Sequence, residues 1–187
     1  MTPSAVGGCP VTVSIYTMAI DTFVPMLRSL STLLEKGGEH ARAKGLDPDS
    51  LVNARLAPDM FPLARQVQIA CDQATDGTAR LTGQEPPVYE DNEKTLAELK
   101  ARVAKALVYL DAVRPAHFEG ARNRQIAFTL NEEFALAMDG VQFLRDWMLP
   151  HFYFHVVTAY DILRHNGVEI GKSDYLSHVG YAIHRRN

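Results

Sequence analysis

Three histidines, His151, His155 and His165, fall in the run LPHFYFHVVTAYDILRHNG, and their spacing sets the chemical question. At about 100° per residue they share one stripe of a helix with Thr158 and Ile162, all within about 40° of a line. Two neutral imidazoles four residues apart offer two nitrogen donors on successive turns. With a third nitrogen or oxygen they would suit zinc, nickel or iron and leave positions for water. Without a metal the same pair could transfer protons. The plainer alternative is packing: the Glu of an HExxH motif is absent, and a buried polar group left unpaired costs about 1 to 3 kcal/mol, so such histidines need partners in any case.

The partners are sought on another helix. Asp59, Gln66 and Gln73 recur every seven residues, on the face that also carries Leu63 and Ala70. The expected site is therefore a cleft between the second and last long helices. His155 and Asp59 are its catalytic pair, and Gln66, His151, Tyr160 and Arg164 are its ligand contacts. His151 and His155 are its metal ligands if it holds a divalent metal such as zinc or nickel. Arg164 lies about 60° around the helix from Asp161, so local pairing is the alternative to clamping an anionic ligand.

The elements that must position these residues read mainly as helix. Phe23, Met26, Leu27, Leu30, Leu33 and Leu34 place an apolar stripe on a first helix from near Tyr16 to about Lys44, with Pro25 in its opening turns and Gly45 as its stop. LDPDSLVNARLAPDM holds one short helix. A second long helix runs from near Pro58 to Gly83. In DNEKTLAELKARVAKALVYLDAV, Leu96, Leu99, Val103, Leu107 and Leu110 line one side. Glu93, Lys94, Glu98, Lys100, Arg102 and Lys105 line the other. Alternation in QIAFTLNEEFALAM gives a small hairpin over about 125 to 138. The last long helix spans about Gly140 to Asn166, apolar almost all round and so central.

Composition narrows the function classes. The 187 residues suit one domain, and 47% hydrophobic with 22% charged residues is ordinary for a globular protein. A net charge of -3 without a basic cluster gives no footprint for nucleic acid or an anionic membrane surface. Cys9 and Cys71 are far apart, which suggests neither a disulfide framework nor a thiolate zinc site and fits a cytoplasmic setting. Cys71 reads as core. Gly-Lys-Ser in NGVEIGKSDYL follows a helix rather than a strand and reads as a turn, not a phosphate loop. The chain divides into a lead-in (1–13), a single domain (14–176) and a tail (177–187). Surplus apolar and aromatic residues point to a homodimer.

Two runs, RLAPDMFPLARQVQIACD (Arg55 to Asp72) and LPHFYFHVVTAYDILRHNGVEIGKSDYL (Leu149 to Leu176), closely resemble the domain-of-unknown-function family nineteen ninety-three. That family is grouped with the DinB/YfiT-like four-helix-bundle superfamily of candidate metalloenzymes, and the likeness extends over about Val13 to Leu176. It implies an all-α DinB-like four-helix bundle with a small β-hairpin before the last long helix. In the superfamily one histidine on the second helix and a His-x-x-x-His pair on the last bind a divalent metal. His151 and His155 match the pair. The second-helix histidine is absent, with Gln66 near its place and Asp59 two turns earlier, and glutamine is a poor zinc ligand.

Two functional classes follow. One is a small-molecule enzyme of unspecified reaction at the cleft, with or without a divalent metal. The alternative is a non-catalytic small-ligand-binding or dimeric interaction protein on the same bundle with no metal.

Overall fold

The computed structural model describes residues 13–184, so the lead-in and Cys9 lie outside the described residues, apart from Val13. Among the described residues the protein is mostly helical with one small antiparallel hairpin. Its long helices are α1 (Ile15–Ala43), α2 (Leu63–Thr82), α3 (Leu96–Ala112) and α5 (Leu149–His165). The short α4 (Gly140–Gln142) and a π-helical stretch (Phe143–Met148) lead directly into α5, and α6 (Lys172–Tyr175) follows it. Strands β1 (Gln125–Thr129) and β2 (Ala135–Asp139) pair with Ile126 opposite Met138 and Phe128 opposite Leu136.

Local chemistry accounts for the element ends. The Ser14 hydroxyl accepts from the Thr17 N–H at 3.0 Å and opens α1, and Gly45, at φ +69°, closes it. Thr95 and Glu98 form a reciprocal capping box at the start of α3. The hairpin tip is held by Asn131, whose Oδ1 accepts from the Glu133 and Phe134 N–H groups at 3.0 and 2.9 Å. LDPDSLVN does contain a short helix, a 3-10 helix over Pro48–Asn53.

Three expectations change. Helix α2 begins at Leu63, after Pro62, rather than near Pro58. Residues preceding proline are pushed out of helical backbone, and Ala57 and Phe61 both precede one, so the segment between them forms turns. Pro25 lies inside α1 instead of in its opening turns. Arg102, placed by pattern on the solvent side of α3, is buried.

The core is continuous from end to end. Phe23 of α1 and Phe152 of α5, both fully buried, meet edge-to-face within it, 4.8 Å between ring centroids. Helix α2 packs most extensively against α5, and α3 lies against both α1 and α2. The π-helical stretch approaches α2 where Gly77 leaves no side chain, because a Cβ there would collide with Met148. Beyond α6, Ser177–Ala182 forms a 3-10 helix that returns to α1, with the Ser177 and Ser29 hydroxyls 2.9 Å apart.

Candidate functional site around His155 and Gln66

The α2–α5 interface brings Gln66 and His155 together. Gln66 sits on the first turn of α2 at 1% exposure, and His155 sits mid-α5 at 4%. Gln66 Nε2 donates to the Phe61 carbonyl at 3.1 Å, and Gln66 Oε1 lies 2.6 Å from His155 Nδ1. A carbonyl only accepts, so the amide NH2 must face Phe61 and the amide oxygen must face the imidazole. Nδ1 of His155 is therefore the donor, and Nε2 carries the lone pair. The non-helical backbone at Phe61 thus fixes a tautomer on a helix distant in sequence.

His151 lies one turn before His155, its ring centroid 4.9 Å away and tilted by 43°. Trp147 meets His151 edge-on at 5.2 Å, and Phe154 meets His155 edge-on at 5.2 Å. Burial, then the neighbouring His151, then Arg65 push the His155 pKa down to about 4. Burial also lowers that of His151, whose Nδ1 is buried without a hydrogen-bond partner among the described residues. Both imidazoles are neutral at pH 7. The π-helical stretch ends just before Pro150, so His151 follows a local rewinding of the helix.

The other expected site residues disperse. Asp59 is exposed in the turn ahead of α2, and Gln73 is half-buried. Tyr160 lines a different cleft, with Val157, Asp161, Lys172 and Tyr175. Arg164 donates from Nη1 to the Val168 carbonyl at 3.1 Å and so ties off the end of α5 instead of pairing with Asp161. His165 is exposed. Cys71 is fully buried, and burial raises its pKa strongly, which leaves an inert core thiol.

Residues 15–176 match the family described as a domain of unknown function, DUF1993. The chain belongs to this family. A crystal structure at 1.83 Å of a DinB family member protein from Shewanella denitrificans is similar to this DUF1993 chain, with a TM-score of 0.81 and 46% identity. The match covers 87% of this chain and 91% of that one. No curated protein matches the chain.

A divalent metal is what the DinB resemblance implies for this DUF1993 member, and the residues present do not fit the superfamily's donor set. The oxygen of Gln66 that faces the last helix already accepts the proton of His155 Nδ1. That leaves His151 and the second nitrogen of His155. Among the described residues no group of three or more His, Cys, Asp or Glu is placed to hold a metal ion.

Pattern reading missed a second polar centre. The Arg102 guanidinium, on α3, reaches Asp72 on α2 at 2.5 Å and Asp91 and Glu93, on the α2–α3 connection, at 2.8 and 3.0 Å. Tyr89 stacks on it, its ring centroid 4.2 Å from the guanidinium carbon. Arg65 joins at Asp91, 2.6 Å away, and Gln68 donates to Glu93 at 2.9 Å. Three carboxylates already surround Arg102, so it pins the connection and is not free to bind an anion. The available signal was DNE at 91–93, a cluster of acids one connection away from an arginine.

Proposed function

We propose that the protein binds a small uncharged molecule at the α2–α5 seam, where Nε2 of His155 accepts a hydrogen bond from it without a resident metal. The observation that carries this reading is the Phe61–Gln66–His155 relay, which commits Nδ1 as donor and leaves the opposite nitrogen as acceptor. A neutral imidazole offers no charge to an anion. Trp147 and Phe154 supply apolar ring surface, and His151 a second neutral imidazole, beside it.

An enzyme is the second reading. A relay that holds one tautomer also serves a general base, with Nε2 taking a proton from substrate and the neighbouring His151 as the second polar group. The low pKa favours binding over base catalysis, because a base working at pH 7 is best tuned near 7.

Trp147 is the chain's single tryptophan and touches His151, so its fluorescence reports on the site. Titrating neutral alcohols, thiols and N–H heterocycles should give a saturable change in at least one class. That change should disappear in His155→Leu and stay level from pH 8 down to about 5, above the imidazole's pKa near 4. Wild-type and His155→Leu protein responding alike would overturn the binding reading. Turnover of a bound compound would favour the enzyme.

The same reading takes α1, α2, α3 and α5 as a DinB-like four-helix bundle and the protein as a homodimer. Tyr153 and Phe154 are 37% and 56% exposed on α5, adjacent aromatic surface that supports self-association. Sedimentation showing only monomer across micromolar concentrations would remove the dimer.

A further inference from the structure

On the side of α5 turned away from His155, a cleft of about 220 Å³ is lined by Val157, Tyr160, Asp161, Lys172 and Tyr175. At about 100° per residue Val157, Tyr160 and Asp161 lie roughly 140° to 240° around the helix from His155, so the cleft is separate from the histidine site. Tyr160 and Tyr175 meet edge-to-face at 6.2 Å and 70°, which builds an aromatic wall between α5 and α6. Burial, then the neighbouring Tyr153, raise the Tyr175 pKa, so its phenol stays protonated.

Charges of both signs border this wall. Asp161 and Lys172 form no ion pair among the described residues. The carboxylate on α6 itself, Asp174, is held by Lys36 at 2.5 Å and does not neutralise Lys172.

We propose that this cleft binds a small zwitterion carrying an alkylated ammonium group at one end and a carboxylate at the other. The cation meets the phenol rings of Tyr160 and Tyr175 and the Asp161 carboxylate, and the ligand's carboxylate meets Lys172. Alkylation matters because methyl groups bury against Val157 and the rings, while the spread charge keeps its attraction to the π faces. A lone cation would face Lys172 and a lone anion would face Asp161, so each charged residue also repels a wrong ligand.

The test is titration of the isotope-labelled full chain with glycine betaine, followed by amide chemical shifts, with tetramethylammonium and acetate as half-ligand probes. Betaine is expected to shift residues around 157–175 saturably at millimolar concentration, about tenfold more tightly than either half. Lys172→Met and Asp161→Asn should each weaken betaine about five- to tenfold, and Asp161→Asn should not weaken acetate. Lys172 is exposed and Asp161 half-buried, and neither forms an ion pair among the described residues, so unchanged far-ultraviolet circular dichroism is expected for the variants. His155→Leu should leave betaine binding unchanged, which keeps this test separate from that of the histidine site. Absence of saturable shifts with betaine, or equal affinity in wild type and both charge variants, would overturn the proposal.

Discussion

Gln66 and His155 lie 89 positions apart in the chain and meet at 2.6 Å, each almost wholly buried. The bond is directional: Phe61 orients the amide, and the amide orients the imidazole. Gln66→Leu keeps the apolar volume but leaves Nδ1–H of His155 without its acceptor. A loss of about 1 to 3 kcal/mol in urea unfolding is expected. Nitrogen shifts of the histidine rings should show the Nδ1–H form at His155 in wild type and a mixture in the variant. An Nε2–H form in wild type would contradict the relay.

The pH dependence of stability has two opposed sources. His155 is held to about 4, below the unfolded value of about 6.5. Between these values the unfolded chain binds the extra proton, so this contribution is full above pH ~6.5 and is lost as pH falls toward about 4. By pH ~5 the loss is on the order of 2 kcal/mol. For Asp76, burial first and then Asp72 raise the pKa from 3.8 to about 6. In that window the folded state binds the extra proton, so this contribution grows as pH falls. Wild type is therefore expected to show a shallow slope between pH 7 and 5. Asp76→Asn should steepen the loss on acidification, and His155→Gln should reverse it. Urea midpoints at the two pH values measure both, and parallel slopes in all three proteins would refute the assignment.

Much of this architecture was legible in the residues, and the misses have physical causes. The start of α3 announces itself through Thr95 and Glu98, and the depth of His155 follows from a polar stripe on a helix apolar elsewhere. Gln66 emerged from its seven-residue recurrence. Asp59 falls outside α2 because two prolines, Pro58 and Pro62, both resemble a first helical residue, and the helix begins after the later one. The π-helical stretch Phe143–Met148 is too short to leave a period of its own. Arg102 was misplaced because amphipathic patterning sorts arginine with solvent, whereas its burial depends on acids from α2 and the α2–α3 connection arriving together.

Removing that arginine should be severe. Arg102→Met leaves Asp72, Asp91 and Glu93 facing one another without their shared cation, and breaking a buried ion pair from one side costs roughly 3 to 5 kcal/mol. Asp91→Asn removes only one of three carboxylates, tolerates the left-handed backbone there (φ 53°), and should cost much less. Urea unfolding ranks the two variants. Hydrogen exchange should quicken across residues 84–95 in Arg102→Met alone, and unchanged exchange there would mean the connection is held by something else.

Gln66 also separates this chain from a metal site of the superfamily type. Its oxygen accepts the His155 proton, so the second helix supplies an orienting hydrogen bond where a third imidazole would supply a ligand. Wild-type protein prepared without a histidine tag is expected to carry zinc and nickel well below stoichiometry and to melt at the same temperature with and without chelator. Gln66→His places a third imidazole on the first turn of α2, against the His151–His155 pair. A metal that binds only the folded state stabilises it by about 2.7 kcal/mol at a hundred times its Kd, so the Tm of this variant should rise with added zinc. The rise should shrink as acidification protonates the ligands, and it should disappear when His151 is also replaced by alanine. If chelator lowers the Tm of wild type itself, two histidines with the Gln66 oxygen suffice to hold a metal, and the metal-free reading of the site fails.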